Sequence, residues 1–180
     1  MLYIMTTETR LPENYEPAQA SGWNYTKLKD GDNKLRILTS PIIWFQYFTV
    51  ENKPKRSKKM FESTPDIKDD GKVKEFRAFV VRNYDDSQLQ VMEITQATIK
   101  QQLFEYSKDE DYGDPKTYDI KINRTGKDLE TKYQVKPLPP KEFVEKTVID
   151  YAKTIKLEAL YDGWDPFAEA KTTWWDDLPF

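Results

Sequence analysis

In Glu93-Ile94-Thr95-Gln96-Ala97-Thr98-Ile99-Lys100-Gln101-Gln102-Leu103-Phe104-Glu105-Tyr106 the apolar period changes partway along. Leu89 to Ile94 has the apolar, β-branched character of a strand. From Gln96 onward Ile99, Leu103 and Tyr106 fall on one face at helical spacing, which predicts a helix of about three turns with Thr95 as its N-cap. A single helix entered directly from a strand restricts the architecture, and the segments on either side restrict it further.

Toward the N-terminus, Phe76 to Tyr84 and Leu89 to Ile94 flank Asp85-Asp86-Ser87-Gln88 and read as a hairpin. Lys34-Leu35-Arg36-Ile37-Leu38 alternates as a half-buried strand, Ser40-Pro41 interrupts it, and Ile42 to Val50 is a second strand or a bent continuation. Residues 51–74 are basic and polar, with Pro54, Pro65 and Gly71, and read as a long loop. Toward the C-terminus, Tyr118 to Asn123 and Leu129 to Val135 alternate on both sides of Thr125-Gly126-Lys127-Asp128, a second hairpin. After Pro137, Pro139 and Pro140, the stretch Lys141 to Tyr161 carries Phe143, Thr147, Tyr151 and Ile155 at i, i+4 steps with Val144 and Val148 beside them, an amphipathic helix that Gly163 ends.

Strands, a helix and two more strands follow the order of an OB-fold, a five-stranded Greek-key barrel with its helix between the third and fourth strands. An open α+β sheet has the same element order. The expected organisation is a flexible arm over residues 1–21, an OB-fold-like nucleic-acid-binding domain over 22–140, the amphipathic helix over 141–162, and a disordered acidic partner-binding tail over 163–180. Mainly β with helices is the fold class.

A net charge of −3 hides an uneven distribution. After residue 161 five acids stand against Lys171 alone, a net −4, which leaves +1 for the rest. Within that near-neutral body Lys53, Lys55, Arg56, Lys58 and Lys59 put five positive charges into seven residues, so overall acidity does not exclude a nucleic-acid partner.

Single-strand binding needs cations for phosphates and aromatic faces for bases. Trp44, Phe45, Tyr47 and Phe48 precede the basic loop, Phe61 follows its charges, and Arg77, Phe79, Arg82 and Tyr84 lie on the next strand. If Ile43, Phe45 and Tyr47 face the interior, then Trp44, Gln46 and Phe48 face outward, and a register shift of one residue reverses this. The expected DNA contacts are Trp44, Tyr47, Phe48, Lys53, Lys55, Arg56, Lys58, Lys59, Phe61, Arg77, Phe79 and Arg82, extended by Lys121, Arg124 and Lys132 on the second hairpin.

The absence of Cys and His removes disulfides, thiolate or imidazole metal sites, and Cys, His or Ser-His-Asp catalysis. No Gly-rich phosphate loop is present, and acid-x-Lys triplets are too frequent to mark a nuclease. A non-catalytic protein without a cofactor is expected. No apolar run reaches the roughly 20 residues of a membrane span and Met1 to Met5 is too short for a signal peptide, so a cytoplasmic location is expected.

Asp176-Asp177-Leu178-Pro179-Phe180 joins two carboxylates to one apolar plug, suited to a hydrophobic pocket with a basic rim. It resembles the acidic tip that closes bacterial single-stranded-DNA-binding proteins, which implies recruitment of replication or repair partners. The body is similar to phage-encoded single-stranded-DNA-binding proteins in Leu35-Arg36-Ile37-Leu38, Ile42-Ile43-Trp44, Glu93-Ile94-Thr95 and the hairpin Tyr118 to Val135. Without Cys or His the chain departs from those phage members that carry zinc. The resemblance implies a coat for single-stranded DNA in phage replication, recombination or repair inside a bacterial host. Its tail would recruit a polymerase, helicase, nuclease or recombinase. An adaptor that binds protein in place of DNA is the alternative.

Overall fold

The computed structural model describes residues 25–170. The expected N-terminal arm and the tip Asp176 to Phe180 lie outside them. Seven strands form one antiparallel sheet: β1 (Gly31–Ile37), β2 (Ile42–Phe48), β3 (Pro54–Ser57), β4 (Lys74–Asn83), β5 (Gln88–Ile94), β6 (Asp119–Thr125) and β7 (Lys132–Pro137). Two α-helices accompany them, α1 (Ala97–Lys108) and α2 (Lys146–Thr154). The protein is mainly β with helices. The five strands expected from sequence are seven, and the sheet does not close.

β4 organises the sheet. One of its edges pairs with β5 from Arg77 to Asn83, and the other is shared by β2 along Lys74 to Ala78 and β1 along Val81 to Asn83. Ser40-Pro41 breaks what would otherwise be one partner strand, because proline has no N–H for the ladder. Leu38 N–H to Val80 O (2.9 Å) and Val80 N–H to the Thr39 hydroxyl (3.0 Å) carry the pairing across the break. β1 then pairs with β6, and β6 with β7.

On one face, Leu35, Ile37, Phe79, Val81, Met92, Ile94, Tyr118, Ile120, Ile122 and Val135 enclose a core that α1 covers with Ile99 and Leu103. The helical stripe falls where its spacing predicts. Thr95 does not cap the helix: the N-cap position is Gln96, whose side chain accepts the Thr95 N–H (3.2 Å) instead of capping. α1 also accounts for the opening. Gln102 donates to Tyr133 O (3.4 Å) and accepts from Val135 N–H (2.7 Å), and the Tyr106 hydroxyl donates to Val135 O (3.3 Å). Helix side chains thus satisfy the outer edge of β7, which would otherwise need another strand.

The other face of β4 and β5 lies under the C-terminal segment. Trp44, Ala78, Val80 and Val91 pack against Ala152, Ile155, Leu157, Leu160, Phe167 and Ala170. α2 is shorter than the expected 141–161: it starts at Lys146, with residues 141–145 not helical, and ends at Thr154, after which Leu157–Asp162 form a 3-10 helix. Its buried stripe is Val148 and Ala152, one position along from the predicted Thr147 and Tyr151. Residues 163–170, expected to be tail, belong to this packing: Lys156 N–H bonds Pro166 O (3.0 Å), and Phe167 and Ala170 are buried. Among the described residues no helix is long and apolar enough to cross a membrane.

A buried ionic cluster ties the sheet to the strap before α2. Arg36 Nε donates to Asp119 Oδ1 (2.6 Å) with both side chains out of solvent, and its other nitrogens donate to Lys116 O and Lys141 O. The Tyr84 hydroxyl donates to Asp119 Oδ1 (2.9 Å), and Lys34 and Lys141 approach Oδ2 at 3.5 and 3.1 Å.

Candidate nucleic-acid interface

β2 and β3 form a hairpin arm that runs past the end of β4. Phe45 pairs with Ser57 and Phe48 with Pro54, and the turn is completed by Asn52 at φ 60°, a left-handed conformation that asparagine tolerates. The expected long loop is therefore partly sheet, and its remainder folds back on β2: Val50 N–H donates to Asp66 O (3.0 Å) and Lys68 N–H to Phe48 O (2.9 Å). Residues 51–74 carry eight basic and five acidic side chains, a net +3.

Trp44 and Gln46 do face away from the α1-covered interior, yet Trp44 is 1% exposed. The C-terminal segment covers its face, so the ring stacks on Phe76 (5.0 Å, 13°) with Tyr161 edge-on at 6.3 Å. The expected base platform at Trp44 is thus a core residue. Phe79 is likewise buried in the α1-covered core and has no access to a strand. Tyr47 is buried too, edge-on to Phe61 at 4.8 Å, with its hydroxyl donating to Asp66 (2.7 Å). Phe61 is half-buried and Phe48, at 48% exposed, is the open ring of the arm.

The basic residues divide by what they hold. Arg56 is structural: its guanidinium donates to Gln46 (2.8 Å) and to Leu160 O (2.6 Å), fastening the arm to the 3-10 helix. Arg77 pairs with Glu75 (2.7 Å), and Arg82 holds Ser87 O and Glu145. Lys55 pairs with Asp66 at 2.6 Å; hydrogen bonds from Lys55 and then Tyr47 hold the Asp66 carboxyl below its usual range. Lys53 pairs with Glu51 (2.7 Å). Lys58 lies over the Tyr161 ring at 4.7 Å, and the Lys59 side chain has no hydrogen-bond or ion-pair partner among the described residues.

Lys121, Arg124 and Lys132 do not extend this set. They stand on β6 and β7, separated from β2 by β4 and β1, and Lys121 and Arg124 face Asp32 (3.8 Å) and Asp30 (3.0 Å). The two basic regions occupy opposite ends of the sheet.

Reasoning from sequence missed Trp164, which is 72% exposed. It follows Gly163 at φ 76°, whose missing side chain leaves room for Arg56: a Cβ there would stand 2.9 Å from the guanidinium. Lys58, on the Tyr161 ring, meets the same 3-10 helix, so Trp164 emerges at the root of the arm. An aromatic directly after a helix-ending glycine was the available signal, hidden by the assignment of residue 163 onward to a tail. Val50 and Met60 are further exposed apolar groups on the arm.

Among the described residues no group of His, Cys, Asp or Glu is placed to hold a metal ion. No family model, no curated protein and no solved structure matches the chain.

Proposed function

We propose that the protein is a non-catalytic, sequence-independent binder of single-stranded DNA, acting in phage-type replication, recombination or repair in the cytoplasm of a bacterial host. The carrying observation is the arm: Phe48 stands open opposite Pro54, Lys53 and Lys55 flank that proline, Lys58 and Lys59 follow β3, and the solvent-exposed Trp164 lies at the root. Cations on a projecting ribbon with aromatic faces between them are the equipment of strand binding without sequence readout.

The strand order supports an open relative of the OB-fold. Taken alone, β1, β4, β5, β6 and β7 lie in the spatial order β5-β4-β1-β6-β7 with α1 between the third and fourth in sequence. β2 and β3 are then an elaboration of the connection between the first two barrel strands, one of the loops with which OB-folds bind oligonucleotides. The sheet face formed by the second and third barrel strands, also used for binding in such folds, is here covered by residues 146–170, so contact falls to the arm.

A fluorescence titration with oligo-dT at two salt concentrations tests this. The expected log-log slope is about −0.7 per neutralised phosphate, with duplex bound more weakly. Binding that ignores salt would remove the lysines from the site. Val50 and Met60, apolar and exposed, favour one second reading, an adaptor whose arm docks on protein; it gains if oligo-dT does not bind.

Recruitment of a replication or recombination protein is proposed for Asp176, Asp177, Leu178, Pro179 and Phe180. Deleting them should abolish partner capture while leaving DNA affinity unchanged or slightly raised.

A further inference from the structure

Where the sheet stays open between β5 and β7, it leaves a cavity of about 250 Å³. Ile94, Ile99 and Met92 form apolar walls, and the Tyr133 ring flanks them. Gln96 and Thr26 supply polar side chains on the lining, which the Glu93 backbone also borders, its carboxyl lying toward Arg56 on the other face of the sheet. The Thr26 hydroxyl is buried without a hydrogen-bond partner, and Gln96 uses its carbonyl on Thr95 N–H, leaving its NH₂ to donate elsewhere. Arg124, held by Asp30 and Leu28 O, closes the cavity toward β6.

We propose that this cleft receives one unstacked nucleobase of a bound single strand. The proposal rests on the strand-binding reading and adds a site to it, away from the arm. Three observations carry it. The volume is below the roughly 300–1,000 Å³ of sites for drug-sized ligands, which suits a single ring system. An open lining that is mainly polar, with the Thr26 hydroxyl and the Gln96 amide beside the Tyr133 ring, matches the polar edge of a base, and the Arg124 guanidinium suits the attached phosphate. The cleft also shares a row with the arm: Ile94 pairs with Arg77 and Arg77 with the exposed Ile43, placing the cleft two strands, or roughly 10 Å, from β2.

Amide NMR of the full chain tests this, with thymidine 5′-monophosphate, inorganic phosphate and oligo-dT as probes. The nucleotide and the oligonucleotide should both shift Thr26, Glu93 and Gln96 to saturation, and phosphate alone should not. Leu28→Phe, which narrows the cleft, should weaken oligo-dT binding roughly tenfold, the worth of one stacked base. Should that variant melt early, Thr26→Val removes only the hydroxyl at nearly constant shape and should still weaken binding; unchanged affinity overturns the proposal. Oligo-dT that shifts Phe48 and Lys59 but not the cleft overturns the base site and leaves strand binding standing. Oligo-dT that shifts nothing overturns strand binding and the base site with it. Equal shifts from phosphate and nucleotide would make the cleft an anion site and end the proposal.

Discussion

Trp44 and Phe48 lie four residues apart on one strand and point to the same side, yet one is 1% and the other 48% exposed. The difference comes from residues about a hundred positions later. At the root of β2 the segment 146–170 covers the side chains, while toward the tip Phe48 is not part of that packing among the described residues. Two basic residues repeat the contrast. Arg36 in the body is sealed with Asp119, whereas Lys59 on the arm has no side-chain partner among the described residues. The body uses aromatic and basic residues for cohesion; the arm does so with Tyr47 and Arg56 but leaves Phe48 and Lys59 open to a ligand.

Trp44→Ala breaks that comparison most sharply. Truncating a fully buried aromatic costs about 3–5 kcal/mol, so the melting temperature should collapse, whereas Phe48→Ala should leave it nearly unchanged. A Trp44→Ala protein of normal stability that binds strands poorly would return Trp44 to the interface and place the C-terminal segment off the sheet.

Asp119→Ala follows closely, because it strands the Arg36 guanidinium in the interior. Losing one partner of a buried pair costs about 3–5 kcal/mol. Its pH dependence has a definite sign. Burial alone would raise the Asp119 carboxyl, but hydrogen bonds from Arg36, Tyr84 and Lys141 outweigh it and hold the group below its usual range. A carboxyl lowered in the folded state contributes stability that is fully present above the unfolded value of about 3.9 and lost as pH falls through the folded value beneath it. Denaturant melts of wild type and Asp119→Asn should therefore converge as pH drops below about 4. A gap that stays constant through that range would mean Asp119 does not titrate with unfolding.

Trp164→Ala sharpens the functional side. If Trp164 stacks on a base, the variant should lose about 1–3 kcal/mol of single-strand affinity with little change in melting temperature, since the side chain is 72% exposed. Unchanged affinity would confine the interface to the arm proper.

How legible this was depends on the range of the interaction. The stripe Ile99, Leu103 and Tyr106 and the alternation from Tyr118 to Val135 could be read because each element's period records which face it buries. The parity of Trp44, Gln46 and Phe48 could be read as well. Which outward face meets water could not, because the cover over Trp44 comes from Ala152, Leu160 and Phe167 and leaves no mark on β2 itself. The open sheet was hidden for a similar reason: Gln102 looks like a surface residue of a helix, while its amide stands in for a strand along β7. Arg56 was one cation of a basic run until its bond to Leu160 O distinguished it from Lys59.

The smallest expected effect separates two lysines of that same run. Lys59 carries its charge without a described side-chain partner, whereas Lys53 stands 2.7 Å from Glu51 and must leave that carboxylate to meet a phosphate. Each phosphate neutralised on a single strand contributes about −0.7 to the salt slope, so Lys59→Gln should flatten the slope by about that amount. Lys53→Gln should flatten it by less, because Glu51 already offsets much of its field. Neither should alter melting, since both side chains are exposed and an exposed pair adds little. Equal losses from the two variants would mean that the Glu51 pair opens whenever DNA binds, making the whole run one phosphate track. If neither slope moves, the arm's charges lie outside the contact, and the difference between body and arm is one of packing alone.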